Sequence, residues 1–327
     1  MPITPEPYRA AINLTVAKYY DRSSNAIVPS NITDSDDNQY DFAIVAMPTK
    51  GIDFGLLFVY ERVAIARAAI KTEPYILPLE GKIDAYMLSP FFKVRSGPFY
   101  LEGEFQYLFG KLAWEGDPGN YGPVFNIKAN STTDIVNILA YINGVVDFGM
   151  FYGGATFAYV SGDDAKTPVS KMEGGLQTGG VDFQPCLLMF NSDRAYWAGS
   201  LKGYSYINSG LLVGSAGPAP DGGVLANAWF YQGKIGARPI AALDIYASVS
   251  YAKADEKPGK SDLGAGAVLN DAYGWEVDVV GTYKLTNNLS YMLGGAYWFV
   301  GDYYKGDNNA NQLVNNYMLI NKLTLTF

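Results

Sequence analysis

Between Leu243 and Tyr251 the odd positions read Leu, Ile, Ala, Val and Tyr, and Asp244, Tyr246, Ser248 and Ser250 fall between them. The same period of two governs Trp275–Leu285. There Trp275, Val277, Val279, Gly281, Tyr283 and Leu285 share one face, opposite Glu276, Asp278, Thr282 and Lys284. Leu289–Phe299 and Phe99–Phe109 repeat the pattern, the latter with Glu102, Glu104 and Gln106 on its polar side. Successive side chains of an extended chain point to opposite faces, so each run predicts a strand with one apolar and one polar face. Each spans about 10 residues, the length a tilted strand needs to cross a bilayer.

The connections alternate in length. Tight links are read at Pro48–Gly51, Arg95–Pro98, Asn143–Gly144, Gly236–Pro239 and Thr286–Asn288, where Gly, Asn and Pro supply turn angles. Long polar stretches run over Asp21–Gln39, Trp114–Ser131, Ser161–Asp193, Ala254–Ala272 and Tyr303–Gln312. Outer-membrane barrels sort their connections this way, short toward the periplasm and long toward the outside; a soluble sandwich has no reason to. Strands are expected near 8–20, 40–48, 52–66, 83–95, 98–114, 132–142, 145–161, 194–204, 207–214, 224–235, 241–253, 274–285, 289–302 and 313–327. The reading is one all-β domain over 1–327, a transmembrane antiparallel up-and-down barrel of about fourteen strands, with roughly 12 to 18 allowed. The nearly uncharged stretch Ile135–Val160 also fits a membrane helix dimerising through Gly149 and Gly153. Asn143–Gly144 in its middle, and Phe148, Met150 and Tyr152 on one face, favour a hairpin.

Composition sharpens this picture. Of 327 residues 17% are charged, against about 25% in an ordinary soluble domain. Yet 49% are hydrophobic, 15% are aromatic, and mean hydropathy is close to zero. Membrane helices, each of about 20 apolar residues, would raise that mean; alternating strands do not. A net charge of −8 argues against nucleic-acid binding, which needs a basic surface. The opening Met1–Pro7 carries no secretory signal, so a leader is expected to have been removed.

The chain has no histidine, so no Ser-His or Asp-His arrangement can be assembled and no enzyme is expected. Glu102 and Glu104, at i and i+2 on one strand, are read as polar wall rather than a glycosidase pair. Gly174–Gly180 reads as loop. Cys186 is the single cysteine, without a CxxC, which leaves no disulfide framework and no thiolate zinc motif; it is read as an incidental loop residue. Asp34–Asp37 and Gly162–Asp164 lack EF-hand spacing and are read as solvated turns. Neither a metal nor a cofactor is expected.

The last residues, Asn321-Lys-Leu-Thr-Leu-Thr-Phe327, place Leu323, Leu325 and Phe327 on one face and Lys322, Thr324 and Thr326 on the other. A terminal aromatic closing an alternating strand resembles the assembly signal of bacterial outer-membrane proteins. As architecture the whole chain resembles a porin-type barrel, and Phe157–Asp163 is faintly similar to a strand end of alginate-export-type porins. The resemblance implies an outer-membrane location and recognition by the barrel-assembly machinery. It also implies contact with the lipid bilayer and lipopolysaccharide, and it leaves a homo-trimer open.

On these phases Asp53, Glu61, Glu102, Glu104, Asp147, Asp244, Glu276 and Asp278 are expected to line a lumen, with Lys93, Arg95, Arg194, Lys202, Lys234, Lys284 and Lys322. Charge rings of this kind tune ion preference. Ser161–Asp193, the longest connection, is the candidate for a loop that folds inward and sets the size cutoff. Outward aromatic girdles are expected from Tyr19, Tyr60, Phe99, Trp114, Tyr231, Tyr251, Trp275, Tyr283, Tyr297 and Phe299, and two bands would distinguish girdles from ordinary strand aromatics. The function expected is passive diffusion of small polar solutes or ions. The alternatives are a channel specific for sugars or organic anions, and a non-conducting scaffold barrel that holds a partner.

Overall fold

A computed structural model describes residues 9–22, 35–65, 80–115, 131–167, 170–180, 182–191, 224–259 and 267–327. Among them the chain is all-β. The strands are β1 (Arg9–Arg22), β2 (Ser35–Thr49), β3 (Ile52–Ile65), β4 (Glu80–Ser96), β5 (Phe99–Glu115), β6 (Thr132–Asp147) and β7 (Phe151–Val160). They continue as β8 (Lys171–Met172), β9 (Ala228–Ile240), β10 (Leu243–Ala254), β11 (Ala272–Lys284), β12 (Leu289–Val300) and β13 (Asn316–Leu325). A short 3-10 helix, Asp302–Lys305, is the one helical element among the described residues. All thirteen strands belong to one sheet, hydrogen-bonded in chain order from β1 to β13 with β8 off the path. Consecutive strands pair antiparallel, while the two-residue β8 lies parallel to β6.

The chain divides into two compact units. The first comprises Met1–Phe92, Phe105–Ile138 and Lys166–Glu173; the second comprises Lys93–Glu104, Leu139–Ala165 and Gly174–Phe327. In the first, β8 is stitched to β6, where Asp134 N–H donates to Ser170 O at 2.7 Å and Asn137 Nδ2 donates to Met172 O at 3.3 Å. In the second, a buried cluster gathers Leu187, Met189, Phe190, Phe230, Tyr273 and Trp298.

Ile135–Val160 is a hairpin, as the alternation demands, but it does not turn at Asn143–Gly144. β6 runs through both residues, and the chain reverses at Phe148–Met150, where Gly149 takes φ +85°. Asn143 lies on the polar face and spends its side chain sideways, donating to Glu102 and accepting from Thr156. Phe148 and Met150 therefore sit in the turn rather than on a strand face with Tyr152. The link placed at Gly236–Pro239 also moves, to Ala241–Ala242. Arg238 and Pro239 instead form a bulge, because the register steps from Leu243–Ile240 to Ile245–Ala237. A proline cannot donate to a ladder and is tolerated at such an irregularity. The strands expected at 194–204 and 207–214 lie outside the described residues.

A second bulge, between Ala252 and Lys253, leaves Tyr273 fully buried with its hydroxyl donating to Asn227 O at 3.0 Å. It relies on Gly274, whose φ is +120° and whose added Cβ would lie 2.1 Å from the Phe299 carbonyl oxygen. Gly274→Ala is expected to destabilise the protein by about 1–3 kcal/mol through the dihedral alone, with the backbone clash added. Gly233→Ala, where a Cβ meets open space, is expected to be neutral. Denaturant midpoints of the two variants check this.

Candidate functional site

In β9–β12 one face of the sheet is apolar and exposed, and the other buries carboxylates and other polar groups beside apolar side chains such as Phe230 and Trp298, whereas a soluble protein exposes its charged side chains. On β11 Val279 is 53% exposed, whereas Glu276 is 0% and Asp278 1% exposed. Ser248 and Ser250 on β10 and Gln232 on β9 are buried, while Val249, Tyr231 and Ile235 on the same strands are exposed. Strand alternation alone puts Glu276 and Asp278 on one face and Trp275, Val277 and Val279 on the other.

What covers the polar face is the segment 182–191 of the long connection. Pro185–Phe190 is an apolar run inside a polar loop, and it packs where the strands offer hydrogen-bonding groups. The Glu276 carboxylate accepts the Leu188 and Met189 amide protons, each at 2.7 Å. Gln232 Nε2 donates to Pro185 O at 2.7 Å and to Ser250 Oγ at 3.0 Å. Asn191 Nδ2 donates to Cys186 O and Leu187 O at 3.1 and 3.2 Å, closing the segment on itself. The Phe190 ring stands edge-on to Phe230 and Tyr273, at 5.7 and 6.5 Å between centroids. The Cys186 thiol donates to Ser250 Oγ at 3.3 Å, and burial pushes it well above its usual range. Cys186 is thus a buried packing residue of this segment rather than an incidental one.

The other expected residues fall into smaller groups. Glu102 accepts from Tyr100, Tyr141 and Asn143 at 2.5, 2.8 and 3.3 Å, and Glu104 lies half-buried on the same face. Asp147 and Asp244 are brought together by Arg238, which donates to them at 2.7 and 3.2 Å while its guanidinium lies over the Tyr152 ring. Tyr152 in turn donates to Asp244 at 2.7 Å. Arg238 lay hidden in what reads as a turn; only the bulge gives it that aim. Lys234 lies over the Tyr246 ring at 5.2 Å. Lys322 is half-buried on β13, and Lys284 is exposed at the end of β11. In the first unit Asp53 and Glu61 are half-buried on β3, and Glu61 lines a cavity of about 250 Å³ with Gln39, Asp41 and Val59. Arg194 and Lys202 lie outside the described residues.

The aromatic residues form rows. In the second unit Phe157, Tyr231, Tyr251, Trp275 and Phe299 are direct neighbours across β7, β9, β10, β11 and β12. Two pairs of these rings touch, Tyr251 with Trp275 at 4.7 Å and Phe157 with Tyr231 at 5.4 Å. Toward the tight turns Tyr283 pairs with Tyr291, and Tyr297 opposite Tyr317 thickens the first row on β12–β13. The first unit has its own row, Tyr40–Tyr60–Tyr86–Phe109, with centroids 5.9, 4.9 and 5.4 Å apart. Phe99 is exposed at the β4–β5 turn. The side chains of Tyr19 and Trp114 fall outside the described ones. Leu323, Leu325 and Phe327 are exposed, the first two opposite Tyr291 and Leu289.

No family of proteins matches the chain, and no curated protein matches it.

Proposed function

We propose that the chain is an outer-membrane β-barrel whose sheet closes around a hydrated lumen and passes small polar solutes and ions, with the segment 182–191 narrowing the passage. The observation that carries this reading is the sheet of β9–β12, whose one face is apolar and exposed while its other face buries the Glu276 and Asp278 carboxylates. Water gives no reason for such an arrangement, whereas a bilayer outside and a polar interior require it. The aromatic rows support it further. Trp275 and Tyr283 are separated by about 26 Å of strand at roughly 3.3 Å per residue, which at a barrel strand's tilt of about 40° spans roughly 20 Å, the greater part of the roughly 25 Å apolar band between girdles. Lipid and lipopolysaccharide then cover the exposed face, and the Leu323–Phe327 strand end is the address read by the barrel-assembly machinery.

A sheet of this many strands encloses more space than side chains alone fill, which gives the segment its role as constriction. Carboxylates predominate on the polar face, so a weak preference for cations is expected. Planar-bilayer recording of the purified protein tests both points. Discrete conductance steps are expected, with a reversal potential in a salt gradient on the cation-preferring side. A protein that shows the faster gel migration of a folded barrel when unheated, yet gives no steps, would overturn conduction. That outcome favours a second reading, a non-conducting barrel sealed by the segment, for which the packing over Glu276 and Gln232 is the specific support. Block by one class of solute would mark a substrate-specific channel.

A further inference from the structure

We propose that Cys186, Glu276 and Asp278 form a site for one divalent cation of the zinc type, which fastens the segment 182–191 to β11. The Cys186 sulfur and one carboxylate oxygen from each acid lie within 4.8 Å of one another, and all three residues are buried. Compactness alone would not make this a site. The independent observation is Asp278 Oδ1, which is buried without a hydrogen-bond partner on a residue only 1% exposed. Its sister oxygen takes the Ser248 hydroxyl at 3.2 Å, so the side chain is held in place while one acceptor stays unused.

Charge makes the same demand. Glu276 and Asp278 are neighbours in burial, and no ion pair among the described residues reaches either. Their carboxyl groups hydrogen-bond to each other through a shared proton, because two like charges withdrawn from water destabilise each other as well as losing hydration; a divalent cation takes the place of that proton. A cation between them offsets both costs and supplies the partner that Oδ1 lacks. Both Glu276 oxygens already accept an amide proton, which orients the carboxylate and leaves a lone pair on each. The thiol selects the metal, because calcium and magnesium take oxygen ligands whereas sulfur with carboxylates suits zinc. Three protein ligands leave one tetrahedral position for water. On binding, the S–H bond and the O–H bond shared by the two carboxyl groups break, both protons leave to solvent, and the freed sulfur and oxygen lone pairs form the metal bonds; nothing is oxidised or reduced. This departs from the expectation of no metal that a single cysteine and no histidine suggested.

The test is a cadmium titration of the detergent-folded, chelator-stripped protein, followed by thiolate-to-cadmium charge-transfer absorption. The band is expected to saturate at one equivalent and to be displaced by zinc. Cys186→Ser is expected to abolish it, and Asp278→Asn to remove stoichiometric binding. Ser248→Ala, which frees the Asp278 carboxylate, is expected to weaken binding about tenfold. Unheated gel migration verifies that each variant is folded, and if Cys186→Ser is not, the other two carry the test. Absence of the band, or a band unchanged by Asp278→Asn and Ser248→Ala, would overturn the site and leave the carboxylates balanced by a proton. The titration needs no conduction, so its failure leaves the porin reading standing, and the absence of conductance steps leaves the site standing.

Discussion

Val279→Arg is expected to lower the stability of the protein folded in lipid vesicles by about 2–4 kcal/mol, the penalty of a cation at the midplane of a barrel's lipid face. Val279 is the sharpest probe on the chain. It is 53% exposed, and it stands midway between Trp275 and Tyr283, four residues from each. If water bathed this face, the same substitution would fall within about 0.5 kcal/mol of neutral, as exposed replacements do. The two surroundings therefore predict results several-fold apart in energy for one side chain. Thr286→Arg, in the tight turn after β11, provides the comparison and is expected to be neutral in vesicles. Equilibrium unfolding in urea from vesicles of fixed composition measures both. A neutral Val279→Arg would place the exposed apolar face in water and sink the membrane reading.

Glu276→Ala is expected to raise the mean single-channel conductance and to add fast current noise. The substitution removes the acceptor for two amide protons of the segment 182–191, those of Leu188 and Met189. A buried donor left without a partner costs about 1–3 kcal/mol, so the segment loses two of its attachments to β11. Gln232 still holds Pro185, which is why partial release, seen as noise, is expected rather than a permanently wider passage. Recording the variant beside the parent protein in the same bilayers decides the matter. Equal conductance and equal noise would mean that the segment does not set the width.

Much of this fold is legible in the alternation. The period of two assigns Glu276 and Asp278 to one face and Val277 and Val279 to the other, and the structure keeps that phase. A one-residue slip would have reversed every side chain, so a strand with one strongly apolar face fixes its own register. Turns were less legible. Asn143–Gly144 has the chemistry of a hairpin turn, yet Glu102 and Thr156 offer Asn143 partners on neighbouring strands, and the strand continues. Pro239 suggests a turn because it lacks an N–H, and a bulge answers the same deficiency.

The candidate site was legible only on its strand side. Glu276 and Asp278 follow from period and phase, but the residues that cap them come from a stretch without period. Pro185–Phe190 carries the one usable signal, an uncharged run within a polar connection. The pairing of that run with β11 depends on contacts 87 and 88 residues apart, beyond the reach of any local pattern. Arg238 shows the same limit at the turn end, where its partners Asp147 and Asp244 are 91 and 6 residues away.

That separation also gives the molecule an order of events. Leu188 and Met189 precede their acceptor by more than a quarter of the chain, and closing so long a loop carries an entropic cost that only the finished wall repays. Until β11 is laid down beside β10, the apolar run has Gln232, Ser250 and Phe230 to grip but no acceptor for its Leu188 and Met189 amides. The segment is therefore a latch that closes on the sheet late, because its two amide protons find their acceptor only once β11 has joined β10.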